Sequence, residues 1–372
     1  MNLNELLVDC KKLDPISYEL ATAIYHKQND LIDQVNHKMA SLENIDALIG
    51  GNPEYMMNDN HRHHLLFMVN VFNLNFFEMM VRTVAWVYSS YSSHGFNFDY
   101  FIYELKTWIE VYENEFEPEF VKPVTDVYRW LLEHHEDFCQ ISREENSTNK
   151  PKTDEWFVIK QEFLGALLAG DHRTCVKLAS ASISNSDDME KFYLQVIKEA
   201  MYEIGYFWQQ AKITTAQEHL ASAIVTRVMT SINLLDIPRN SKKGKAIVTA
   251  STNEYHEIGS WIFADLLDQD GWDVDYLGAN TPADPVISLA KKIKPVFVAI
   301  SVTMPFNLFF LKNFIKLLRS DAELCNLKLM VDGKVFQEFP DLWKEIGADG
   351  CANDAVSGRN LARNWWKECS LA

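Results

Sequence analysis

Downstream of Gly244 the chain keeps a rhythm that few folds can satisfy. Short runs of β-branched and aliphatic residues, Lys245 to Thr249, Val274 to Tyr276, Val296 to Ser301 and Lys328 to Val331, are each followed by an amphipathic helical stretch. Strand and helix alternating in this way predict a parallel sheet covered by helices on both faces, as in Rossmann and flavodoxin-like domains. Ligands of such sheets sit outside the carboxyl ends of the strands, so the residues just after each run are the candidates for chemistry.

Upstream the period is helical throughout. Trp156 to Ala169, Asp171 to Ser180, Asp187 to Gln210 and Thr214 to Leu234, joined by short connections, predict a small antiparallel four-helix bundle. From Tyr18 to Phe138, apolar residues recur at helical spacing, as in Leu65, Met68, Val69, Phe72, Phe76, Met79 and Met80, with a turn signal at Gly50-Gly51-Asn52-Pro53. The polar stretch Ser142 to Pro151 reads as an exposed linker, and Asp236 to Gly244 marks a second change of pattern. The expected organisation is multidomain α and α/β: an all-helical domain at 1–148, a helical bundle at 149–240 and the α/β domain at 241–372.

Bulk properties narrow the function. Hydrophobic residues make up 47% and aromatics 12%, enough to bury several cores. A net charge of -17 repels a phosphate backbone, so direct nucleic-acid binding is not expected. The N-terminus lacks a basic region followed by an apolar run, and no stretch has the unbroken apolar length of a membrane span, so a cytoplasmic protein without membrane association is expected. Cys10, Cys139, Cys175, Cys325, Cys351 and Cys369 show no metal-ligand spacing and read as reduced thiols.

Beyond the first strand lies Asn253-Glu254-Tyr255-His256-Glu257-Ile258-Gly259, a loop that carries one histidine into the next helix. Alone, such a histidine is a surface or capping residue. Here the order Glu254-x-His256-x-x-Gly259 resembles the signature of the cobalamin-binding domain shared by B12-dependent methyltransferases, mutases and light sensors. The resemblance implies that His256 displaces the cofactor's own dimethylbenzimidazole base and becomes the lower axial ligand of cobalt. It also implies that Glu254, standing where the family more often has Asp, hydrogen-bonds the distal imidazole nitrogen. Tyr255 and Ile258 belong to the same motif. Further matches follow in order: Leu277-Gly278 after the second run, Ser301-Val302-Thr303 after the third and Asp332-Gly333 after the fourth, where the family usually has two glycines. In the family these strand ends line the slot for the displaced nucleotide tail.

The preceding bundle contains Trp208 with Glu218 and His219 after nine intervening residues. A core tryptophan and a helix-surface pair would look the same. The spacing also resembles adenosylcobalamin-dependent photoreceptors that regulate carotenoid genes, in which the bundle caps the corrin and these residues surround the adenosyl group. There, photolysis of the cobalt–carbon bond removes what supports the cap and packing rearranges. Where those repressors have a histidine next to the tryptophan, this chain has Gln209, leaving His219 as a possible substitute.

The aromatic-rich N-terminal segment includes His61-Arg62-His63-His64 and the run from Trp86 through His94 to Phe101. It reads either as a packed helical core or as the wall of a flat tetrapyrrole site. The domain order resembles the photocobilins, whose globin-like bilin-binding domain precedes the cobalamin module. That implies biliverdin bound without a cysteine linkage, with haem, ligated by His94 or one of His61 to His64, as the competing ligand. The reading drawn from these resemblances is a light-sensing signalling protein with adenosylcobalamin and biliverdin, a homodimer acting through a protein partner rather than an enzyme. A corrinoid methyl carrier of a methyltransferase system, or a light-independent B12 sensor, is the alternative.

Overall fold

Five strands, β1 (Lys245–Ala250), β2 (Asp273–Tyr276), β3 (Phe297–Ser301), β4 (Lys328–Asp332) and β5 (Gly350–Ala352), form one sheet in the computed structural model of the protein. All neighbours are parallel and the order is β2-β1-β3-β4-β5. The structure describes residues 1–143, 155–235, 237–238, 240 and 242–371. Most of the expected linker at 142–151 therefore lies outside the described residues, as do Asp236, Arg239 and Ser241 of the second boundary loop.

The strand order follows from burial. β3 is buried along its whole length and β1 everywhere but Lys245, which is what continuous aliphatic runs require when helices cover both faces. β2, with Asp273 and Asp275, takes an edge. The chain leaves β1 for β2 on one side and returns to β3 on the other, so the crevice between the β1 and β3 loops is the topological switch point where ligands of such sheets bind.

β5 was not expected from the sequence. Gly350-Cys351-Ala352 has no β-branched residue, and only tertiary context makes it a strand. It pairs with β4 at Met330, Val331 and Asp332, beside the helix Ala355–Leu371, and a Cβ on Gly350 would come within 2.6 Å of Leu361.

Contacts divide the chain into two units, Met1–Asn149 with Gln209–Lys212 and Lys150–Trp208 with Ile213–Ala372. The second contains both the sheet and the bundle. Bundle helices run over Glu155–Leu168, His172–Ser182, Ser186–Lys191, Lys198–Gln209 and Thr215–Ile232. The single helix expected over 187–210 is interrupted by a π-helical turn, Phe192–Ile197. Pattern reading cannot see such a turn, because its buried residues Phe192, Tyr193, Val196 and Ile197 keep a spacing that an ordinary α-helix also shows. Within it, fully buried Tyr193 donates its hydroxyl to Asp265 Oδ2 at 2.5 Å, on the helix Ile258–Gln269 that follows β1. Asn233 also reaches Asp265, and Arg359 pairs with Glu190 at 2.7 Å. Ile262 and Leu266 of the same helix enter the bundle's own core with Phe163, Phe192 and Val225. Bundle and sheet thus share an apolar interface as well as polar ties.

The first unit is all-helical among its described residues, with long helices Glu54–Leu74, Phe77–Ser93, Asp99–Glu115 and Pro118–Glu133. Trp108, Tyr100, Tyr112, Tyr128 and Phe72 fill its centre. The Gly50-Gly51 turn is required by geometry: φ is +63° at Gly50, where a Cβ would lie 2.0 Å from the Gly95 carbonyl oxygen. Among the described residues no helix is long and apolar enough to cross a membrane.

Candidate functional site

The β1 loop delivers Glu254 into the protein and His256 toward its surface. Glu254 is 0% exposed, and its carboxylate is surrounded by donors. Oε1 accepts from His256 Nδ1 at 2.6 Å and from the His256 backbone N–H at 3.1 Å. Oε2 accepts from the backbone N–H groups of Thr303 (2.8 Å) and Met304 (2.9 Å) and from Asn307 Nδ2 at 3.0 Å. Burial opposes ionisation, but these bonds outweigh it, and the carboxyl titrates below its ordinary range. Desolvation likewise works against the imidazolium of His256, yet the Glu254 carboxylate and, more weakly, Glu218 hold its pKa above the usual value.

Glu254 stands where the resemblance leads one to expect Asp more often, and its contact with His256 is direct. The longer glutamate arm still bonds the imidazole directly, because its far oxygen is drawn into the β3 loop. With Nδ1 donating to the carboxylate, the neutral ring carries its lone pair on Nε2. The His256 side chain is 58% exposed, so that nitrogen belongs to a reachable surface.

The other strand-end residues gather around this pair. The carbonyl of Gly278, at φ +79°, accepts from Ala250 N–H at 2.9 Å, and a Cβ there would meet Glu257 Oε2 at 3.3 Å. Leu277 N–H donates to Val248 at 2.9 Å, tying the β2 end to β1. Gly259, in the first turn of the helix after His256, has nothing within 4 Å of where a Cβ would stand. Ile258 packs on the bundle core, and Tyr255 is exposed, its hydroxyl accepting from Asn280 at 3.2 Å. Val302 is buried, its N–H donating to the Asp332 carbonyl at 2.9 Å. Gly333 has φ +107°, and a Cβ would fall 2.2 Å from the Val302 carbonyl oxygen, so only glycine fits.

Two hydroxyl assignments change in kind. Thr303 contributes its backbone N–H to Glu254. Ser301 lies opposite Asp332 in register and bonds its carboxyl, which burial nonetheless pushes up to about 6.

Three residues that motif reading passed over complete the loop: Asn253, Asn280 and Asn307. Asn253 and Asn280 have φ of +63° and +50°, a conformation asparagine tolerates better than most residues, so an asparagine in each loop was the only signal in the sequence. Asn307, 1% exposed, gives no such sign.

In the bundle, Thr214 and Gln217 form a capping box that starts the helix Thr215–Ile232 and so fixes where Glu218 and His219 emerge. Glu218 accepts from Ser222 Oγ at 3.0 Å and lies 3.5 Å from His219 Nε2, whose side chain is 75% exposed. Trp208 packs on the bundle core and donates its indole N–H to Thr215 Oγ1 at 3.2 Å. Glu218 contributes to holding the His256 pKa up, so the two glutamate–histidine pairs are within electrostatic reach of each other.

In the first unit, His61 is buried with both ring nitrogens engaged, Nδ1 with Asn36 at 2.6 Å and Nε2 with the Tyr100 hydroxyl at 3.0 Å. His64 bonds the Tyr128 hydroxyl at 2.9 Å and stacks on Trp108. Burial pushes both imidazoles down to about 3. His94 Nδ1 bonds the Ser90 carbonyl at 2.8 Å. Ligation of a haem iron by His61 would break one of its two bonds.

Comparison with known proteins bears on the second unit. A B12 binding domain model matches residues 244–358, and a second B12 binding domain model matches 159–232. Dimethylamine corrinoid protein 3 of Methanosarcina acetivorans is 26% identical over 185 residues, covering 48% of this chain and 82% of that protein. Monomethylamine corrinoid protein 1 of Methanosarcina mazei is 23% identical over 216 residues, covering 56% and 98% respectively. Among solved structures, the monomethylamine corrinoid protein of Methanosarcina barkeri aligns with a TM-score of 0.49 and 19% identity, covering 55% of this chain and 97% of that one. This chain carries B12 binding domains and is similar to corrinoid proteins.

Proposed function

We propose that the second unit holds cobalamin with His256 Nε2 as the lower axial ligand and the bundle face bearing Trp208, Glu218 and His219 over the upper side. The carrying observation is the buried, five-donor carboxylate of Glu254 fixing a half-exposed imidazole at the switch point of the sheet. The donor chemistry fits a corrin: a single neutral imidazole with its second nitrogen bonded to a carboxylate is a strong axial base. The open space at Gly259 and the forced glycine at Gly333 keep side chains out of the strand-end surface.

When bound, cobalamin supplies a cobalt centre whose weak bond to an upper carbon group is opened by group transfer or by light. The chain's residues bind and orient it. Ser301, Asp332 and Gly278 shape the strand ends through their bonds to one another's strands, Glu254 holds the imidazole proton on Nδ1, and the bundle would limit access from the other side.

We favour a corrinoid carrier that presents an exchangeable upper group, a methyl group in the first instance, because the relatives are methylamine corrinoid proteins. The second reading is a light-sensing role with adenosylcobalamin: Met1–Asn149 form a helical part of the first unit ahead of the family matches, which begin at residue 159, and would be the candidate for biliverdin. Absorption spectra of the protein loaded separately with methylcobalamin and adenosylcobalamin, in darkness and after green light, decide between the two. A carrier predicts that the bundle stays in place and the oligomeric state is unchanged after illumination. A sensor predicts a change in hydrodynamic size with the adenosyl form only. A protein that retains neither cofactor through gel filtration contradicts both.

A further inference from the structure

The seam between bundle and sheet closes on one carboxyl. Asp265, on the helix Ile258–Gln269, accepts the Tyr193 hydroxyl on Oδ2 at 2.5 Å and the Asn233 side-chain amide on Oδ1 at 3.2 Å. The two donors come from different parts of the bundle: Tyr193 from the π-helical turn Phe192–Ile197, Asn233 from the C-cap of the helix Thr215–Ile232. Trp261, one turn back on the helix of Asp265 itself, supplies a third bond. None of these donors is a cation. Asp268 on the same helix adds a second negative charge, and Tyr276 of β2, beside Glu257, lies within electrostatic reach. Cations along the seam are engaged elsewhere: Arg359 pairs with Glu190 at 2.7 Å, Arg363 and Lys243 pair with Asp270, and Lys198 acts on Asp354.

We propose that Asp265 is a proton-operated latch between bundle and sheet, which closes the seam when it carries a proton and lets it open more readily when ionised. A neutral carboxyl still accepts from both bundle donors and sheds the cost of burying a charge. A carboxylate keeps a charge-assisted bond from Tyr193 but faces no bonded cation among the described residues. Burial outweighs the donors, and the acid is pushed up to about 6. Burial, and then the Asp265 carboxylate, also hold the Tyr193 hydroxyl well above its usual range, so the tyrosine stays a donor and the proton that comes and goes belongs to the acid. Opening the seam returns Asp265 to water and to its ordinary value of 3.8. Closing therefore takes up a proton: the latch contributes fully below about pH 4, loses strength as pH rises through about 6 and is constant above. About two pH units separate the two states, so the opening equilibrium changes by at most about 100-fold. The helix that carries Asp265 begins two residues after His256. Any effect on access to the strand ends rests on the proposed placement of the bundle; the latch does not.

The test is hydrogen–deuterium exchange of the full chain without cofactor, read by mass spectrometry across the weakly acidic to neutral range and corrected for intrinsic exchange. In the wild type, opening read from peptides of Thr215–Ile232 and Ile258–Gln269 should rise by about 10-fold or more as pH passes through about 6. Asp265→Asn keeps an acceptor for Tyr193 but cannot ionise. It should remove that step and leave the seam at neutral pH at least as protected as in the wild type. Tyr193→Phe takes away a bond that supports the carboxylate, so the step should remain and its midpoint move up; this variant carries the test if Asp265→Asn does not fold. A step in Asp265→Asn as large as the wild type's, or a Tyr193→Phe midpoint that stays in place or falls, would overturn the latch. Because no cofactor is present, failure of the axial reading of His256 would leave this result untouched.

Discussion

The second unit contains two glutamate–histidine pairs, and they are built in opposite ways. Glu254 and His256 meet at 2.6 Å, with the carboxylate wholly buried and bonded by five donors. Glu218 and His219 are 3.5 Å apart, the carboxylate bonded by Ser222, the imidazole largely in solvent. A pair that must hold one geometry against competing ligands is wired into the backbone of a neighbouring loop. A pair free to change partners is left on a helix surface, where such contacts contribute little. On the proposed reading, this difference would make the sheet the fixed side of the cobalamin site and the bundle the adaptable side.

The largest effect should come from His256→Ala. Cobalamin binding should weaken by more than the ~10–100-fold typical of outer partners, and the absorption spectrum of bound cofactor should lose its histidine-ligated form. Unchanged spectra would erase the contrast between the pairs. Glu254→Gln should weaken affinity by about 10–100-fold and cost about 1–3 kcal/mol of stability, measured by urea unfolding without cofactor, because one amide cannot satisfy donors arranged around a carboxylate.

The pairing also has a pH signature in the cofactor-free protein. Glu254, lowered, contributes stability that is present above the ordinary carboxyl pKa and lost as pH falls through its folded value. His256, raised, contributes stability that is complete below about 6.5 and lost as pH rises through its folded value. The pair should therefore stabilise most between those limits, and His256→Ala should flatten the alkaline side of a stability–pH curve.

Glu104 in the first unit sharpens the point. It is nearly as buried as Glu254, but Asn60 reaches it only at 3.3 and 3.4 Å, and burial pushes its carboxyl up to about 8. For this acid stability is complete below the ordinary carboxyl pKa and declines as pH rises toward 8. Glu104→Gln should remove that decline, leaving the variant more stable than wild type at pH 9 by thermal unfolding. The smallest effect belongs to His219→Ala: stability should move by less than about 0.5 kcal/mol and cobalamin affinity hardly at all. A large loss of affinity would show that the bundle pair is held as firmly to one role as the loop pair.

Sequence made the sheet, the bundle and the Glu254–His256 motif legible because each depends on local pattern: aliphatic runs, helical period, a fixed short spacing. What it concealed depends on context. β5 exists because β4 offers an edge; the π-helical turn keeps the hydrophobic stripe of an ordinary helix; Asn307 acts across 53 residues of chain to Glu254. The first unit was legible as helical, but the mutual bonding of His61, Asn36 and Tyr100 could not be read from a run of histidines.

The most direct measurement of the central claim is the electron paramagnetic resonance spectrum of cob(II)alamin bound to wild-type protein carrying 15N only in histidine. Ligation by His256 predicts doublet splitting that disappears in His256→Ala. Triplet splitting in the wild type, or doublets that persist in the variant, would contradict it.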